Sequence, residues 1–178
     1  MAVTGRGFSL RESFPNFPLS TGRLTLEPEE PEHDGILAER TLVANLFSAT
    51  VPGSWPPTAV EPPTTDAIGW KRFYLSHSGS DGQKSMVGVA GIGFWSPEKR
   101  TAQVGTALVP EYHGQRLGQE IVAALGKWAL SQPQFDSAVC DVPADHPSSA
   151  KSLERAGYVK SPEAPAPGYL RFVMTRSA

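Results

Sequence analysis

Residues 104–120 constrain the fold more tightly than any other stretch, because they pass from one periodicity to another with almost no slack between. Val104, Thr106 and Leu108 alternate with small residues at period two, and Pro110 and Gly114 then interrupt the run. Leu117, Ile121, Val122, Leu125, Trp128 and Ala129 follow at helical spacing. The stretch therefore reads as a strand, a glycine-bearing loop and the first turns of a helix. Such a junction aims free backbone N–H groups from the positive end of a helix, and a phosphate-bearing ligand is what that geometry binds most naturally.

The rest of the chain sets the bounds. Its 178 residues suit one domain with a tail, enough to bury a core without covalent staples. With 16 Lys and Arg against 18 Asp and Glu, the net charge of -2 supplies no bulk field for nucleic acid or an acidic membrane, so neither is expected as a partner. The single cysteine, Cys140, excludes an internal disulfide framework and the common multi-cysteine zinc sites; no metal site is expected. No apolar run approaches the roughly 20 residues that span a bilayer, and the first residues lack the apolar core of a signal peptide. The expectation is a soluble, cytoplasmic protein. The 17 Gly and 17 Pro gather in residues 1–20, 52–63 and 161–168, as connectors and a tail.

Taken in order, residues 1–20 form an aromatic and proline-rich arm, either laid over the domain or paired with a second copy, as in a homodimer, and residues 21–178 form one domain. Leu24 to Leu26 is a short strand, and Ile36, Leu37, Thr41, Leu42, Leu46 and Phe47 predict a helix over about 31–48. His33 falls in its first turn and is read as a solvated surface residue. The loop around Trp55 is broken by prolines; its tryptophan either lines a substrate pocket or plugs the edge of the core. A short helix near residues 65–69 precedes a strand over 70–75 that carries Trp70, and residues 78–82 read as a hairpin turn. Residues 85–94 make a glycine-bearing central strand ending beside Trp95, and a turn at 96–100 leads to the strand of the opening motif. After the long helix, which ends near Gln132 and Pro133, residues 137–142 form a buried strand that runs parallel to the Val104 strand across the crossover. Ser148 or Ser149 starts a helix with Gly157 as a left-handed cap, and residues 158–160 and 169–174 are the last strands. The order is that of a mixed α/β (α+β) sheet, mostly antiparallel, with about six or seven strands and about four helices.

At this point the chain resembles the GNAT N-acetyltransferase superfamily, and in particular its ribosomal-protein-alanine-acetyltransferase-like branch. Thr21-Gly22-Arg23-Leu24-Thr25-Leu26 is similar to the branch's T-x-R-L-x-L strand, and Val87-Gly88-Val89-Ala90-Gly91-Ile92 to its V-G-x-x-G strand. The segment from Val109 to Glu120 is similar to the acetyl-CoA loop, and His146 to Tyr158 to the N-x-x-S-x-x-x-L-E-K-x-G-F segment, in the family's order and spacing.

The resemblance implies a GNAT-like sheet in which the strand ending at Leu108 and Val109 splays from its parallel neighbour. The arm of acetyl-CoA, the co-substrate, then lies in the cleft. Leu108, Val109, His113, Gly114, Gln115, Arg116, Leu117, Gly118, Gln119, His146 and Ser149 are the implied cofactor-binding residues, the pyrophosphate taking amides from about Gln115 to Gln119. Arg116 replaces a family glycine, and either contacts a phosphate or crowds the loop if the position needs a positive backbone dihedral. His113 stands where a cationic or amide side chain is usual. Gln103 stands where the family often carries a glutamate base, and an amide cannot act as one. Glu111, Asp141 and His146 are the other candidates. His146 replaces the asparagine that holds the pantetheine, and either reaches the same carbonyl or only starts the helix. Ser149 is implied as proton donor to the departing thiolate, with helix capping as its structural alternative. The tyrosine acid of other branches falls at Leu153, and Cys140 reads as a small apolar core residue.

The catalytic set expected on these grounds is Ser149, Gln103 and His146, with Trp55 and Trp70 toward the substrate. The main expectation is transfer of an acetyl group from acetyl-CoA to a primary amine, on a small molecule or a peptide, by direct attack, with backbone donors beside Val109 polarising the thioester. The rivals are a noncatalytic acyl-CoA-binding module and a GNAT-fold enzyme with another acyl donor or acceptor.

Overall fold

The computed structural model describes residues 19–28, 71–96 and 100–176. The helices expected over 31–48 and 65–69, His33, the Trp55 loop, Trp70 and most of the N-terminal arm lie outside these residues. Among the described residues eight strands form one sheet: β1 (Leu19–Ser20), β2 (Leu24–Pro28), β3 (Lys71–Ser78), β4 (Lys84–Ser96), β5 (Thr101–Leu108), β6 (Ser137–Pro143), β7 (Val159–Lys160) and β8 (Tyr169–Thr175). Their spatial order is β1-β2-β3-β4-β5-β6-β8-β7. Two helices, α1 (Leu117–Ser131) and α2 (Pro147–Arg155), follow β5 and β6, and a 3-10 turn over Pro110–Tyr112 precedes α1. None of the described helices is long and apolar enough to cross a membrane.

The sheet is mixed and mostly antiparallel, as expected, with β5 and β6 as its parallel pair. It holds one strand more than expected, because Leu19 and Ser20 pair with Leu26 and Thr25. A two-residue edge strand has no periodicity of its own; it exists because β2 offers it a partner. The hairpin between β3 and β4 closes where anticipated, with Gly82 at φ +77° and its N–H donated to the Gly79 carbonyl at 3.0 Å.

One sheet face is the core. Leu24, Leu26, Phe73, Leu75, Ile92, Ala102, Val104, Ala138, Cys140, Phe172 and Met174 are buried there together with Leu117, Ile121, Val122, Leu125 and Ala129 of α1. The helical spacing read from the sequence is thus the stripe that α1 lays on the sheet. Cys140 is buried within it, and burial pushes its thiol pKa up to about 12. α2 ends in a Schellman arrangement: Gly157 has φ +95°, its N–H reaches the Glu154 carbonyl at 3.1 Å, and that of Tyr158 reaches Leu153 at 3.0 Å.

Candidate functional site

The parallel pairing of β5 with β6 is only three residues long: Thr101 with Ser137, Ala102 with Ala138, and Gln103 with Val139. β5 continues to Leu108 against β4, and β6 continues to Pro143 against β8, so past Gln103 the two strands stay paired to their outer neighbours and part from each other. The sheet is split from that point to its edge. A split leaves backbone groups of β5 facing an open gap, and which ones face it follows from the register. The Val109 N–H is donated to the Val87 carbonyl at 2.9 Å. Antiparallel strands alternate the direction of their backbone groups, so Leu108, and Thr106 before it, turn theirs into the gap. The backbone donor beside Val109 is therefore that of Leu108, since Val109's own is committed to β4. Gly88 sits opposite Leu108, and a side chain there would run into the Ala107 carbonyl, 2.3 Å from the position of its Cβ. The glycine lets β4 hold β5 this closely.

Both strands of the split lead, at their carboxyl ends, into helices whose N-termini border the gap; ligands of open α/β sheets bind on this side. α1 begins at Leu117 with Arg116 as N-cap, and no side chain caps it. The amides of Leu117, Gly118 and Gln119 make up its first turn, with only Glu120 closing the first helical bond, onto the Arg116 carbonyl at 3.1 Å. Arg116 has φ +62° and ψ +15°, the left-handed region that a glycine adopts without strain. Gly114 is also left-handed, at φ +77°. Arg116 and Gln115 are exposed. The His113 ring nitrogen Nε2 lies 2.7 Å from the Leu108 carbonyl, and since a carbonyl only accepts, Nε2 carries the proton. His113 thus reaches back to the mouth of the gap. α2 begins at Pro147 with His146 as N-cap, again without a side-chain cap bond. Ser149 lies inside its first turn rather than at its cap, and its N–H goes to the His146 carbonyl at 3.1 Å.

A clasp that sequence reading missed steadies the α1 loop. Glu120 Oε1 accepts the Thr21 hydroxyl and the Arg23 N–H at 3.1 Å, and Oε2 accepts Arg23 Nε at 2.8 Å, with Nη2 at 2.7 Å. Arg23 Nη1 donates to the Gln115 carbonyl at 3.1 Å. The two segments that carried the T-x-R-L and acetyl-CoA-loop resemblances are bonded to each other. Burial opposes ionisation of Glu120, but the bonds from Thr21 and Arg23 outweigh it and hold its pKa below the ordinary value.

At the fork itself, Gln103 is buried at 5 % exposure on the face away from α1. Asp141, on the same face, is gripped by Arg171 through Nε–Oδ1 and Nη2–Oδ2 bonds of 2.8 Å each. The hydrogen bonds that Arg171 donates to that carboxylate push its pKa up, against the opposing effect of burial. Gln103 Nε2 also reaches Asp141 Oδ2, at 3.2 Å. Of the alternative bases, Asp141 is thus next to the fork but ion-paired, while Glu111 is exposed on the 3-10 turn.

Comparison with known proteins agrees with this geometry. A sequence model of the acetyltransferase (GNAT) domain matches residues 23–159. A crystal structure of spermidine N-acetyltransferase from Vibrio cholerae in complex with CoA and spermine is similar in fold, with a TM-score of 0.61 at 16% identity, covering 86% of this chain and 95% of that one. An acetyltransferase from Agrobacterium tumefaciens str. C58 has a TM-score of 0.60 at 22% identity, covering 98% and 100%. A domain from Methanocaldococcus jannaschii has a TM-score of 0.64 at 12% identity, covering 86% and 99%. A search of curated proteins finds no match. The family match spans most of the chain and includes the split sheet and the uncapped α1 loop: the chain belongs to the GNAT acetyltransferase family, acyltransferases that draw on acetyl-CoA.

Proposed function

We propose that this protein transfers an acetyl group from acetyl-CoA to a primary amine by direct attack of the nitrogen on the thioester. The observation that carries the reading is the gap between β5 and β6 past Gln103 and Val139, which ends at the uncapped start of α1. An arm with amide groups replaces the missing strand partner at Thr106 and Leu108, and the first-turn amides of Leu117, Gly118 and Gln119 receive the pyrophosphate. His146 and Ser149, on the other lip, face the same ligand in this reading, Ser149 as donor to the leaving sulfur. The carbon–nitrogen bond forms, the carbon–sulfur bond breaks, the amine gives up one proton and the thiolate takes one. The Leu108 N–H is placed to polarise the carbonyl.

Acceptors to try first are small amines, spermidine among them because a similar structure holds spermine, and peptide α-amines, because the T-x-R-L segment resembles that of the ribosomal-protein-alanine-acetyltransferase-like branch. Residues 21–178 act as one domain in this reading, with Trp55 and Trp70 toward the acceptor, and the buried thiol of Cys140 suits the cytoplasm. Titration with CoA and acetyl-CoA tests the site. A ligand at 100 times its Kd adds about 2.7 kcal/mol of stability, a Tm rise of about 5–10 °C for a chain of this size. No rise at millimolar CoA overturns the reading. Thiol release that depends on the amine tests the chemistry. The second reading, a noncatalytic acyl-CoA-binding module, is favoured by one observation, the amide of Gln103 at the fork; it predicts the same Tm rise without thiol release.

A further inference from the structure

At the mouth of the gap, a backbone acceptor that an added strand needs is already taken. The Leu108 carbonyl turns toward the gap, on the same side as its own N–H, because pairing with β4 commits the Val109 N–H to Val87 and leaves the groups of Leu108 on the other edge. In a complete sheet such a carbonyl accepts an N–H from the next strand. Here its donor is the ring of His113, five residues further along the chain, whose Nε2 lies 2.7 Å away. That is a well-formed hydrogen bond, and the imidazole fills one rung of the strand that is missing.

The ring can leave while the loop that carries it stays in place. The backbone of the loop is held independently: the Tyr112 N–H goes to the Val109 carbonyl and the His113 N–H to the Pro110 carbonyl, each at 3.0 Å. Gln115 Nε2 reaches the Glu111 carbonyl at 3.2 Å, and Arg23 Nη1 holds the Gln115 carbonyl at 3.1 Å. The Tyr112 side chain packs against the core, whereas His113 is exposed. Turning the imidazole about its side-chain torsions breaks the bond to Leu108 and none of these, and water satisfies the freed ring. We infer, on the acetyl-transfer reading, that His113 closes the mouth of the gap in the free protein and that an amide N–H of the acetyl-CoA arm displaces its ring from the Leu108 carbonyl. His113 then competes with the ligand, the reverse of the cofactor-binding role that the resemblance implies. A protein binds with an affinity reduced by the fraction of its free population that is open, and one hydrogen bond of ordinary net strength leaves about a tenth to a third of it open. The closed ring also sets a condition on the ligand, which must bring its own N–H to the carbonyl it uncovers.

Surface plasmon resonance of CoA over the immobilised whole protein tests this with the parent, His113→Ala and His113→Gln, Tm confirming that each folds. His113→Ala is expected to lower the Kd by about 3–10-fold through faster association, with dissociation within about twofold of the parent, because the ring touches nothing that the complex keeps. His113→Gln, whose amide nitrogen donates an N–H from a similar reach, is expected to return the Kd to within about twofold of the parent. A Kd for His113→Ala that is higher than the parent's or within about twofold of it overturns the inference, as does a gain carried by slower dissociation or a His113→Gln variant that binds as tightly as His113→Ala. Absence of CoA binding from the parent and from both variants instead overturns the acetyl-transfer reading beneath it.

Discussion

Arg116 holds a left-handed backbone without glycine's freedom, and that conformation says what the side chain costs. A left-handed conformation strains a side-chain-bearing residue by about 1–2 kcal/mol, of which glycine's greater freedom in the unfolded chain gives back about 0.5–1. Arg116→Gly is therefore expected to raise Tm by about 2 °C, while Arg116→Ala, which keeps a Cβ, leaves it unchanged; thermal denaturation checks both. If CoA binding weakens in the glycine variant, the guanidinium contacts phosphate as well. The Glu120 clasp is a second single-residue feature with a measurable signature. Its pKa is lowered in the folded protein, so the stability it contributes is present above the ordinary value of 4.5 and is lost as pH falls through the lowered one. Tm should drop on acidification below pH 4.5, and Glu120→Gln should flatten that part of the curve. Arg23→Ala, which frees the Gln115 carbonyl from its donor, is expected to raise the Kd for CoA about fivefold in a calorimetric titration.

At the scale of elements, the buried stripe of α1 includes one especially tight seam, where the helix meets Tyr158. The Tyr158 hydroxyl donates to the Val122 carbonyl at 3.0 Å, and its oxygen lies 2.4 Å from where a Cβ on Gly126 would stand. Gly126→Ala is expected to destabilise by about 1–3 kcal/mol through overpacking. Tyr158→Phe removes both the clashing oxygen and the hydrogen bond, so a double-mutant cycle between the two positions should return a favourable coupling of about 1 kcal/mol by urea denaturation. Much at this scale was legible in the sequence. The apolar spacing of Leu117, Ile121, Val122 and Leu125 gave α1 its buried stripe, Gly157 marked the end of α2, and the long crossover announced the parallel pair, because each signal is local or nearly so. The clasp and the fork were not legible. Glu120 meets Thr21 and Arg23 across about a hundred residues, and Gln103, Asp141 and Arg171 come from three strands; only the register brings them together. The commitment of Val109's N–H to Val87, and the turn of Leu108 toward the gap, likewise depend on which of two alternating sets faces β4, a parity no residue type encodes.

At the scale of the molecule, the described sheet is two half-sheets, β1–β5 and β6–β8, joined by three residue pairs. Hydrogen exchange should read this directly. The amides of Thr106 and Leu108 are expected to exchange fast in the protein alone and to slow at least tenfold with saturating CoA, while the Val109 amide, bonded to Val87, changes little. The same join has a consequence for how the molecule is built. Each half ends at the gap in an unfinished edge, and each is continuous on its other side. Under the acetyl-transfer reading, a ligand lying between them would serve as a ninth strand beside the eight described, one used up and replaced at every turnover, so that the protein would complete its described sheet only while it holds its co-substrate.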